Sequence, residues 1–437
     1  MKSSTFRLLL LLCCTSLSYA KWITAWSGSV QGPYPTGNAS GQPVLTAIFP
    51  APESGARDQS FRMIVRPDIW GARTRVRLSN ALGTKPVTFD GVFVGVQLSG
   101  AAVVTGTNRA VLFDGKTSVT VAPGESRWSD AVALKFTGLA AASLNGRKMA
   151  VSFHVAGESG PMTWHAKSLT TSYLTGPGTG AKGNDESETA FPFSTTSWYF
   201  VNALDMDAPN DTRLIVAFGD SITDGTASTL NGDDRWPDVL SRRLHATAGD
   251  RVAIVNAGIG GNRVVGPAEY TPAKPFAGGP SAGQRLERDV LSLSGVSEVI
   301  WLEGINDFNR ANNESVEAVE NGMREIVGRI RAKIPGVKIM GATVTSAVGG
   351  PTSGPETDGK RKALNEFIRS GQLFDAFVDF DKATGDPQTG ELRAEFVPES
   401  TLGGPGDKLH PNRAGYQAMG MAVDLNWVLG KAAAKGK

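Results

Sequence analysis

Cysteine is almost absent from this chain of 437 residues, which contains two, Cys13 and Cys14. Both lie in a leading segment that we expect to be removed, so the mature chain would have no disulfide, no thiol nucleophile and no cysteine-bound zinc. Histidine is also scarce, and its four residues form no cluster in the sequence. We therefore expect no metal and no other cofactor. The formal net charge is only +2, which gives no reason to expect nucleic acid or an anionic membrane as a partner.

The sequence also lacks an apolar run of the roughly 20 residues that cross a bilayer. The apolar run at the start extends only from Leu8 to Cys14. It follows Lys2 and Arg7 and precedes the small residues of Ser18-Tyr19-Ala20. This pattern predicts a secretory signal peptide over residues 1–20. We therefore expect a secreted or periplasmic protein without a membrane span. The sequence does not indicate its oligomeric state.

Residues 21–208 show short runs with a period of two, separated by Gly, Pro, Asn and Asp. In one run Met149, Val151, Phe153 and Val155 alternate with Ala150, Ser152 and His154, which predicts a strand with one wet face. No helical pattern appears, so we predict an all-β sandwich of jelly-roll type as an accessory domain. Six of the nine tryptophans lie in this half, where they can pack in the core or line a sugar-binding face: Trp22, Trp26, Trp70, Trp128, Trp164 and Trp198.

The pattern changes after the polar stretch 205–212, which predicts a domain boundary and a second domain over residues 209–437. Unbroken apolar strands now alternate with helical stretches, the clearest of which extends from Glu314 to Ile334. Such strands indicate a parallel sheet covered on both faces, an α/β fold. The strand segments are LIVAFG, VAIVNAG, EVIWLEG, VKIMGATVT and AFVDFD.

Polar residues follow these strands, and the carboxyl ends of parallel strands are where such sheets place their sites. Ser221 follows the first strand, Gly261 the second and Asn306 the third, while Asp407 and His410 precede a final helix. Ester cleavage needs a hydroxyl nucleophile, a base for its proton and fixed N–H donors for the oxyanion. Ser221 can attack, His410 can take its proton, and Asp407 can fix the tautomer of the imidazole. The oxyanion donors would be the backbone N–H groups of Ser221 and Gly261 and the amide of Asn306.

The four blocks Gly219-Asp220-Ser221, Gly261, Gly304-x-Asn306-Asp307 and Asp407-x-x-His410 resemble, in order, those of the SGNH or GDSL hydrolase superfamily. The resemblance covers about residues 213–432. It implies a flavodoxin-like three-layer α/β/α fold, with the nucleophile, oxyanion donors, base and triad partner on the residues just given. Gly258 competes with Gly261, which is preferred because the family glycine usually falls five residues after the strand-end Asn256. LEGINDF and LHPNRAGY resemble the subgroup of larger secreted enzymes associated with xylan breakdown.

Several polar residues outside this catalytic set are expected to have structural roles, and one of them has two possible roles. We expect Asp220 and Asp307 to hold their turns, and Arg263 either to contact a substrate hydroxyl or carboxylate or to form a surface salt bridge. His154 and His165 are expected to be structural, and His245 to lie at the surface. The long stretches 262–284, 346–359 and 384–406 show no period and are expected to rim the pocket.

The sequence thus predicts a secreted serine esterase that removes short acyl groups, acetyl foremost, from a plant polysaccharide. Three alternatives stay open at this stage. A lipase or broad acylhydrolase acting on lipid or aryl esters would use the same catalytic residues. A non-catalytic carbohydrate-binding protein with a relict hydrolase domain would not need them. A glycan O-acyltransferase would need an acyl donor and a site that excludes water.

Overall fold

The computed structural model describes residues 20–139 and 141–430. The predicted signal peptide over residues 1–20 therefore lies outside the described residues, apart from Ala20, and so do Cys13 and Cys14. In these described ranges no helix combines the length and the apolar character needed to traverse a bilayer.

The region before Pro209 is built from antiparallel strands, as its period of two predicts. In chain order they are β1 (Lys21–Ser27), β2 (Gly32–Pro33), β3 (Arg57–Val65), β4 (Arg73–Ser79), β5 (Val87–Ser99), β6 (Ala102–Val103), β7 (Arg109–Ala110), β8 (Ser118–Val121), β9 (Ser126–Trp128), β10 (Val132–Ala133), β11 (Met149–Glu158), β12 (Thr163–His165), β13 (Ser172–Leu174), β14 (Phe193–Thr195), β15 (Trp198–Tyr199) and β16 (Val201–Ala208).

Two large antiparallel sheets dominate this region. One has the order β1-β16-β4-β10 and the other β14-β13-β3-β11-β5-β6, and a small sheet joins β15, β12 and β2. Their apolar side chains share one buried core. There Phe61 and Phe153 of the second sheet contact the ring of Phe200, at centroid distances of 5.9 and 6.2 Å. The β-rich character of the region is confirmed, while the jelly-roll strand order stays a prediction.

The predicted wet face of β11 is wrong. Its polar-face residues Ala150, Ser152 and His154 are only 1, 1 and 5% exposed. Arg62 of the neighbouring strand donates from Nε to Ser152 Oγ over 2.8 Å. The His154 ring lies between the carboxylates of Asp90 and Asp58, at 2.6 and 2.8 Å. The polar alternation therefore marks a face whose hydrogen bonds are made within the protein, because β11 is an inner strand covered on both sides.

The tryptophans of this region mainly serve packing. Trp26, Trp164 and Trp198 are buried in the core. Trp22 and Trp128 hold the guanidinium of Arg75 at 4.9 and 4.4 Å from their ring centroids. The guanidinium therefore covers faces of these two rings on which a sugar could otherwise stack.

The second region is a parallel sheet with helices on both faces, and its strand order β18-β17-β19-β20-β21 is that of a flavodoxin-like doubly wound fold. The strands are β17 (Arg213–Gly219), β18 (Val252–Gly258), β19 (Val296–Leu302), β20 (Lys338–Ala342) and β21 (Ala376–Val378). The helices are α1 (Ser221–Asp224), α2 (Trp236–Ala248), α3 (Ala282–Leu286), α4 (Ile305–Phe308), α5 (Val316–Lys333), α6 (Pro355–Arg369), α7 (Phe380–Thr384), α8 (Arg413–Ala422) and α9 (Leu425–Val428). The pairing changes from antiparallel to parallel between Ala208 and Arg213, and we propose the domain boundary there.

Local capping sets the ends of several predicted elements. The helix predicted from Glu314 is α5, which begins after Ser315 because its Oγ accepts the Ala318 N–H over 3.1 Å. The fifth strand is shorter than predicted, since Asp379 caps α7 by accepting the Lys382 N–H. Part of the predicted loop 346–359 is also helical, because α6 begins at Pro355.

The two regions pack closely along β18, the edge strand of the parallel sheet. Thr24 of β1 donates its N–H to Ser294 O over 3.0 Å. Ser27 Oγ donates to Asn256 O over 2.9 Å. The buried cluster that contains Ile23 continues into the face of the parallel sheet formed by Leu214, Val216 and Phe218. The antiparallel region is therefore placed beside the carboxyl end of β18, where the predicted oxyanion turn lies.

Candidate active site

The turn after β17 places Ser221, the candidate nucleophile, at the carboxyl end of that strand and at the amino end of the short helix α1. Asp220 caps this helix, because its Oδ1 accepts the Ile222 N–H over 2.9 Å. The first N–H groups of a helix have no acceptor within it, and among the described residues the Ser221 N–H has none elsewhere. Asp220 therefore holds its turn, as we expected, and the turn leaves a hydroxyl and an N–H side by side.

Ser221, His410 and Asp407 form one hydrogen-bonded chain. Ser221 Oγ lies 2.8 Å from His410 Nε2, and His410 Nδ1 lies 2.6 Å from Asp407 Oδ2. The other carboxylate oxygen of Asp407 accepts the backbone N–H groups of Leu409 and His410, each over 2.9 Å. These bonds fix the carboxylate on the imidazole side of the turn.

The protonation of this chain follows from its partners. Burial alone would raise the pKa of Asp407, but the hydrogen bond and charge of His410 and the two backbone N–H groups lower that pKa far below its ordinary value. An ionised carboxylate only accepts, so His410 Nδ1 must carry a proton. In the neutral ring Nε2 is then the acceptor for the Ser221 hydroxyl. The ring is thus held in the tautomer that can receive the proton of the nucleophile.

The turn after β18 separates the two candidate oxyanion glycines. The Gly258 N–H is not free to bind an oxyanion, because it donates to Asn256 Oδ1 over 2.8 Å. A Cβ on Gly258 would lie 2.2 Å from the Asp224 nitrogen, so this glycine permits the close approach of α1. In contrast, the Gly261 N–H has no acceptor among the described residues, and its φ of +85° favours glycine. The hydrogen bonding therefore favours Gly261 over Gly258 as an oxyanion donor.

Asn306 follows β19, and one hydrogen of its side-chain amide has no acceptor among the described residues. Its Nδ2 donates to Asn262 O over 2.9 Å, which ties it to the residue after Gly261. An amide nitrogen has two hydrogens, and within the described ranges the second has no acceptor. Both side-chain and backbone donors thus meet where β17, β18 and β19 end.

A buried guanidinium that the sequence analysis missed joins these strand ends. Arg285 of α3 is 0% exposed. It donates to Gly219 O and Ala257 O over 2.8 and 2.7 Å and to Asn262 Oδ1 over 2.7 Å. It also lies 4.2 Å from the ring centroid of Phe218. An arginine among the polar residues of a helical stretch carries no sequence signal for such a position.

Three buried carboxyl groups surround this centre. Burial raises the pKa of Asp220 to about 7, that of Glu303 to about 8 and that of Asp307 to about 6. Asp307 accepts the N–H groups of Val264 and Val265 over 3.0 and 2.9 Å, so its carboxylate holds the loop after β18 rather than its own turn. None of the three is hydrogen-bonded to Ser221 or His410 in the described structure, so Asp407 stays the candidate for the triad carboxylate.

His165 of the antiparallel region contacts the catalytic half through Asp224, a link that the sequence did not reveal. Its Nδ1 faces Ser29 O at 2.6 Å, and its Nε2 faces Lys167 O and Asp224 Oδ1 at 3.0 and 3.1 Å. Burial opposes charging of this ring, but the charge of Asp224 and these acceptors raise the pKa of His165. Because both nitrogens face oxygen acceptors, the geometry favours the charged form of His165 beside Asp224.

The guanidinium of Arg263 is bonded within the protein. The residue is only 9% exposed, and it donates to Asn312 Oδ1 and Glu314 Oε1, each over 2.9 Å. Of the two roles expected for Arg263, the structure shows a salt bridge, which is internal and joins two loops. The contact with a substrate stays a prediction. His245 differs from the expected surface role, because it bridges Asp68 of the antiparallel region at 3.1 Å.

Two of the three long stretches meet beside the triad. A Cβ on Gly350 would lie 3.1 Å from Asp407 O. Glu391 forms a 3.0 Å salt bridge with Lys408. Their role in forming the rim of the pocket stays a prediction.

In the described part of the chain, no group of three or more His, Cys, Asp or Glu side chains is arranged to hold a metal ion.

Comparison with known proteins gives one family match. Residues 217–418 match the profile of the GDSL-like lipase/acylhydrolase family, a span that extends from β17 into α8 and includes the residues of the triad. No curated protein matches the chain.

Solved structures resemble about half of the chain. A carbohydrate acetylesterase from Sinorhizobium meliloti is 18% identical, with 48% of this chain and 96% of that one covered and a TM-score of 0.36. A lipase/acylhydrolase from Enterococcus faecalis is 24% identical, with 52% and 100% covered and a TM-score of 0.37. The M. smegmatis aryl esterase is 18% identical, with 48% and 96% covered and a TM-score of 0.36.

Proposed function

Since the chain belongs, through residues 217–418, to the GDSL-like lipase/acylhydrolase family and is a carboxylic ester hydrolase, we propose that it cleaves esters through an acyl-enzyme formed on Ser221. The observation that carries this proposal is the continuous hydrogen-bonded chain from Ser221 Oγ through His410 to Asp407. It supplies a nucleophile, a base of the right tautomer and a carboxylate that stabilises the imidazolium.

The reaction proceeds in two halves. Ser221 Oγ attacks the ester carbonyl carbon while His410 Nε2 takes the hydroxyl proton. The N–H groups of Ser221 and Gly261 and the amide of Asn306 bind the oxyanion. When the intermediate collapses, the alcohol leaves with the proton from His410 and the acyl group stays on Ser221. Water then attacks the acyl carbon with His410 as base, and the carboxylic acid leaves as Ser221 recovers its proton.

The preferred substrate is a short acyl ester, acetyl foremost, on a plant polysaccharide. Support comes from the polar side chains against the oxyanion turn, where a Cβ on Gly260 would lie 3.2 Å from Lys167 Nζ and 3.4 Å from Asn38 Cβ. Such surroundings suit a small acyl group on a hydroxylated alcohol better than a long apolar chain. The resemblance to secreted xylan-associated enzymes and the signal peptide proposed for residues 1–20 point the same way, to a protein that works outside the cytoplasm.

A long-chain acylhydrolase is the second candidate, and one observation favours it. Leu402 and Val44 are 73 and 85% exposed. A Cβ on Gly41 would lie 3.7 Å from Leu402 Cδ2, so the two loops that carry these residues adjoin. Leu402 lies five residues before Asp407. An apolar chain could therefore rest on this edge.

Hydrolysis of p-nitrophenyl esters from acetyl to palmitoyl, beside acetate release from acetylated xylan and pectin, separates the two candidates. We expect kcat/KM to be highest for acetyl and to fall with chain length, and we expect acetate from xylan. A maximum at long chains and no acetate from either polysaccharide would overturn the acetylesterase proposal. Ser221→Ala serves as the control. If it stays as active as the parent protein, the serine mechanism itself is wrong.

A further inference from the structure

Asn38 belongs to the antiparallel region but contacts the oxyanion turn of the other half. It lies in the loop after β2, and its Nδ2 donates to Gly260 O over 2.8 Å, with Ala277 O at 3.5 Å. Both partners are carbonyl oxygens, which only accept, so the amide nitrogen must face them. A Cβ on Gly261 would lie 2.8 Å from this nitrogen. Asn38 therefore rests directly against the Gly260–Gly261 peptide.

That contact fixes the direction of the Gly261 N–H. The carbonyl of Gly260 and the N–H of Gly261 belong to the same peptide unit, which is planar and trans, so the two groups point in opposite directions. With the carbonyl held by Asn38, the N–H must point away from the antiparallel region. This N–H has no acceptor among the described residues, so it is available to an oxyanion.

The preceding peptide is fixed by a second route that leads back to the same region. The Gly260 N–H donates to Asp224 Oδ2 over 2.9 Å. The other oxygen of Asp224 lies 3.1 Å from Nε2 of the buried His165 ring. Lys167 adds a further contact from this side, since its ammonium donates to Thr226 Oγ1. Both peptides that flank Gly260 are therefore held by groups that the antiparallel region supplies or orients.

We propose that the N-terminal antiparallel region completes the active site by positioning the oxyanion donor of Gly261, through Asn38 directly and through His165 by way of Asp224. This inference rests on the proposed function, because it assumes that Gly261 binds the oxyanion. Asn38 and His165 are positioning residues, since each acts through the turn and neither touches the substrate carbonyl.

The test compares Asn38→Ala and Asn38→Asp with a matched control, Asn108→Ala. Asn108 also donates a side-chain N–H to a backbone carbonyl, Gly183 O, over 3.1 Å within the antiparallel region. Removing a direct oxyanion donor costs about 100- to 1,000-fold in kcat. We expect a smaller loss of about 10- to 100-fold in kcat/KM for Asn38→Ala with p-nitrophenyl acetate. Asn38→Asp should lose at least as much, because it has the same shape but offers an oxygen to the Gly260 carbonyl. Asn108→Ala should match the parent protein.

Two further readouts distinguish positioning from general damage. The inhibition constant of a short alkylboronic acid, whose adduct with serine places an oxygen in the oxyanion site, should rise by the same factor as kcat/KM falls. The pH at half-maximal kcat/KM should not move, because His410 and Asp407 keep their contacts.

The inference fails if folded Asn38→Asp keeps parental kcat/KM, or if the boronic acid binds unchanged while activity falls. A shift of the pH profile would also contradict it. If Asn38→Ala does not fold, the isosteric Asn38→Asp carries the test, with its thermal midpoint as the check on folding. Failure of the underlying serine mechanism is seen separately, as activity retained in Ser221→Ala.

Discussion

Replacing Asp407 by Asn removes the charge that faces His410 and leaves the shape of the turn. In the structure the carboxylate binds His410 Nδ1 at 2.6 Å and accepts two backbone N–H groups. The amide can still accept those backbone bonds through its oxygen. It can also offer an N–H to Nδ1, and the ring would then carry its proton on Nε2, where it cannot receive the serine proton. Both effects act on the reaction rather than on the fold.

The size of the loss follows from the charge that forms on His410. Two unit charges about 4 Å apart attract each other by about 1 kcal/mol in bulk water and about 4 kcal/mol at an effective dielectric constant of 20. The Asp407 side chain is 43% exposed, so screening by solvent places the value in the lower part of this range. With about 1.4 kcal/mol for each tenfold change in rate, we expect kcat/KM to fall about 10- to 100-fold.

The assay is the hydrolysis of p-nitrophenyl acetate at pH 7 to 8 by Asp407→Asn and by a control, Asp424→Asn. Asp424 is also a carboxylate that accepts the N–H two residues on, from Asn426 over 2.8 Å, but it caps α9 and has no histidine partner. We expect the control to keep parental activity. A loss of less than threefold for Asp407→Asn, with the control unchanged, would refute the assignment of Asp407 as the triad carboxylate.

Three other predictions test the surroundings of the triad. Gly258→Ala should lower the thermal midpoint, because its Cβ would lie 2.2 Å from the Asp224 nitrogen. Gly261→Ala should lower both the midpoint and kcat, because its φ of +85° strains an alanine and its Cβ would lie 2.8 Å from Asn38 Nδ2; a Gly261→Ala protein with parental kcat would contradict this. Arg285→Ala should destabilise the fold by about 3–5 kcal/mol, because the buried oxygens of Gly219, Ala257 and Asn262 lose their donor at about 1–3 kcal/mol each, while Asp289 keeps Arg288; a denaturant midpoint within error of the parent would oppose it. Burial raises the pKa of Glu303 from 4.5 to about 8. Between these values the unfolded chain releases a proton that the folded chain keeps, so stability should fall with pH by about 1.4 kcal/mol per unit from this group. Glu303→Gln should remove that part of the slope, and parallel stability curves of parent and variant from pH 5 to 8 would contradict it.

The strands and the candidate site residues of the α/β half were predictable because short sequence segments determine them. Unbroken apolar strands such as Val252–Gly258 predict buried parallel strands, and the structure has β18 with the same bounds. The residues that follow them, Ser221, Gly261 and Asn306, are brought together because parallel strands share one carboxyl edge. Asp407 and His410 lie three residues apart at a turn, a spacing that already allows them to bond.

The contacts across the two halves were not predictable, because they depend on how the antiparallel region docks. Asn38 lies in a loop without any pattern, and its partner Gly260 is 222 residues away. His165 could be assigned a structural role from its surroundings, but nothing local shows that its partner is Asp224. The wet face predicted for β11 failed for a related reason, since Asp58 and Asp90 come from neighbouring strands and satisfy His154 internally.

The central claim is that Ser221 is the nucleophile, and its covalent labelling tests that claim most directly. A fluorophosphonate should add one group per chain, and mass spectrometry of the digested protein should place it on the peptide that contains Ser221. The adduct should be absent in Ser221→Ala and much slower to form in His410→Ala, because the base is needed for attack. An adduct on another residue, or undiminished labelling of Ser221→Ala, would contradict the account.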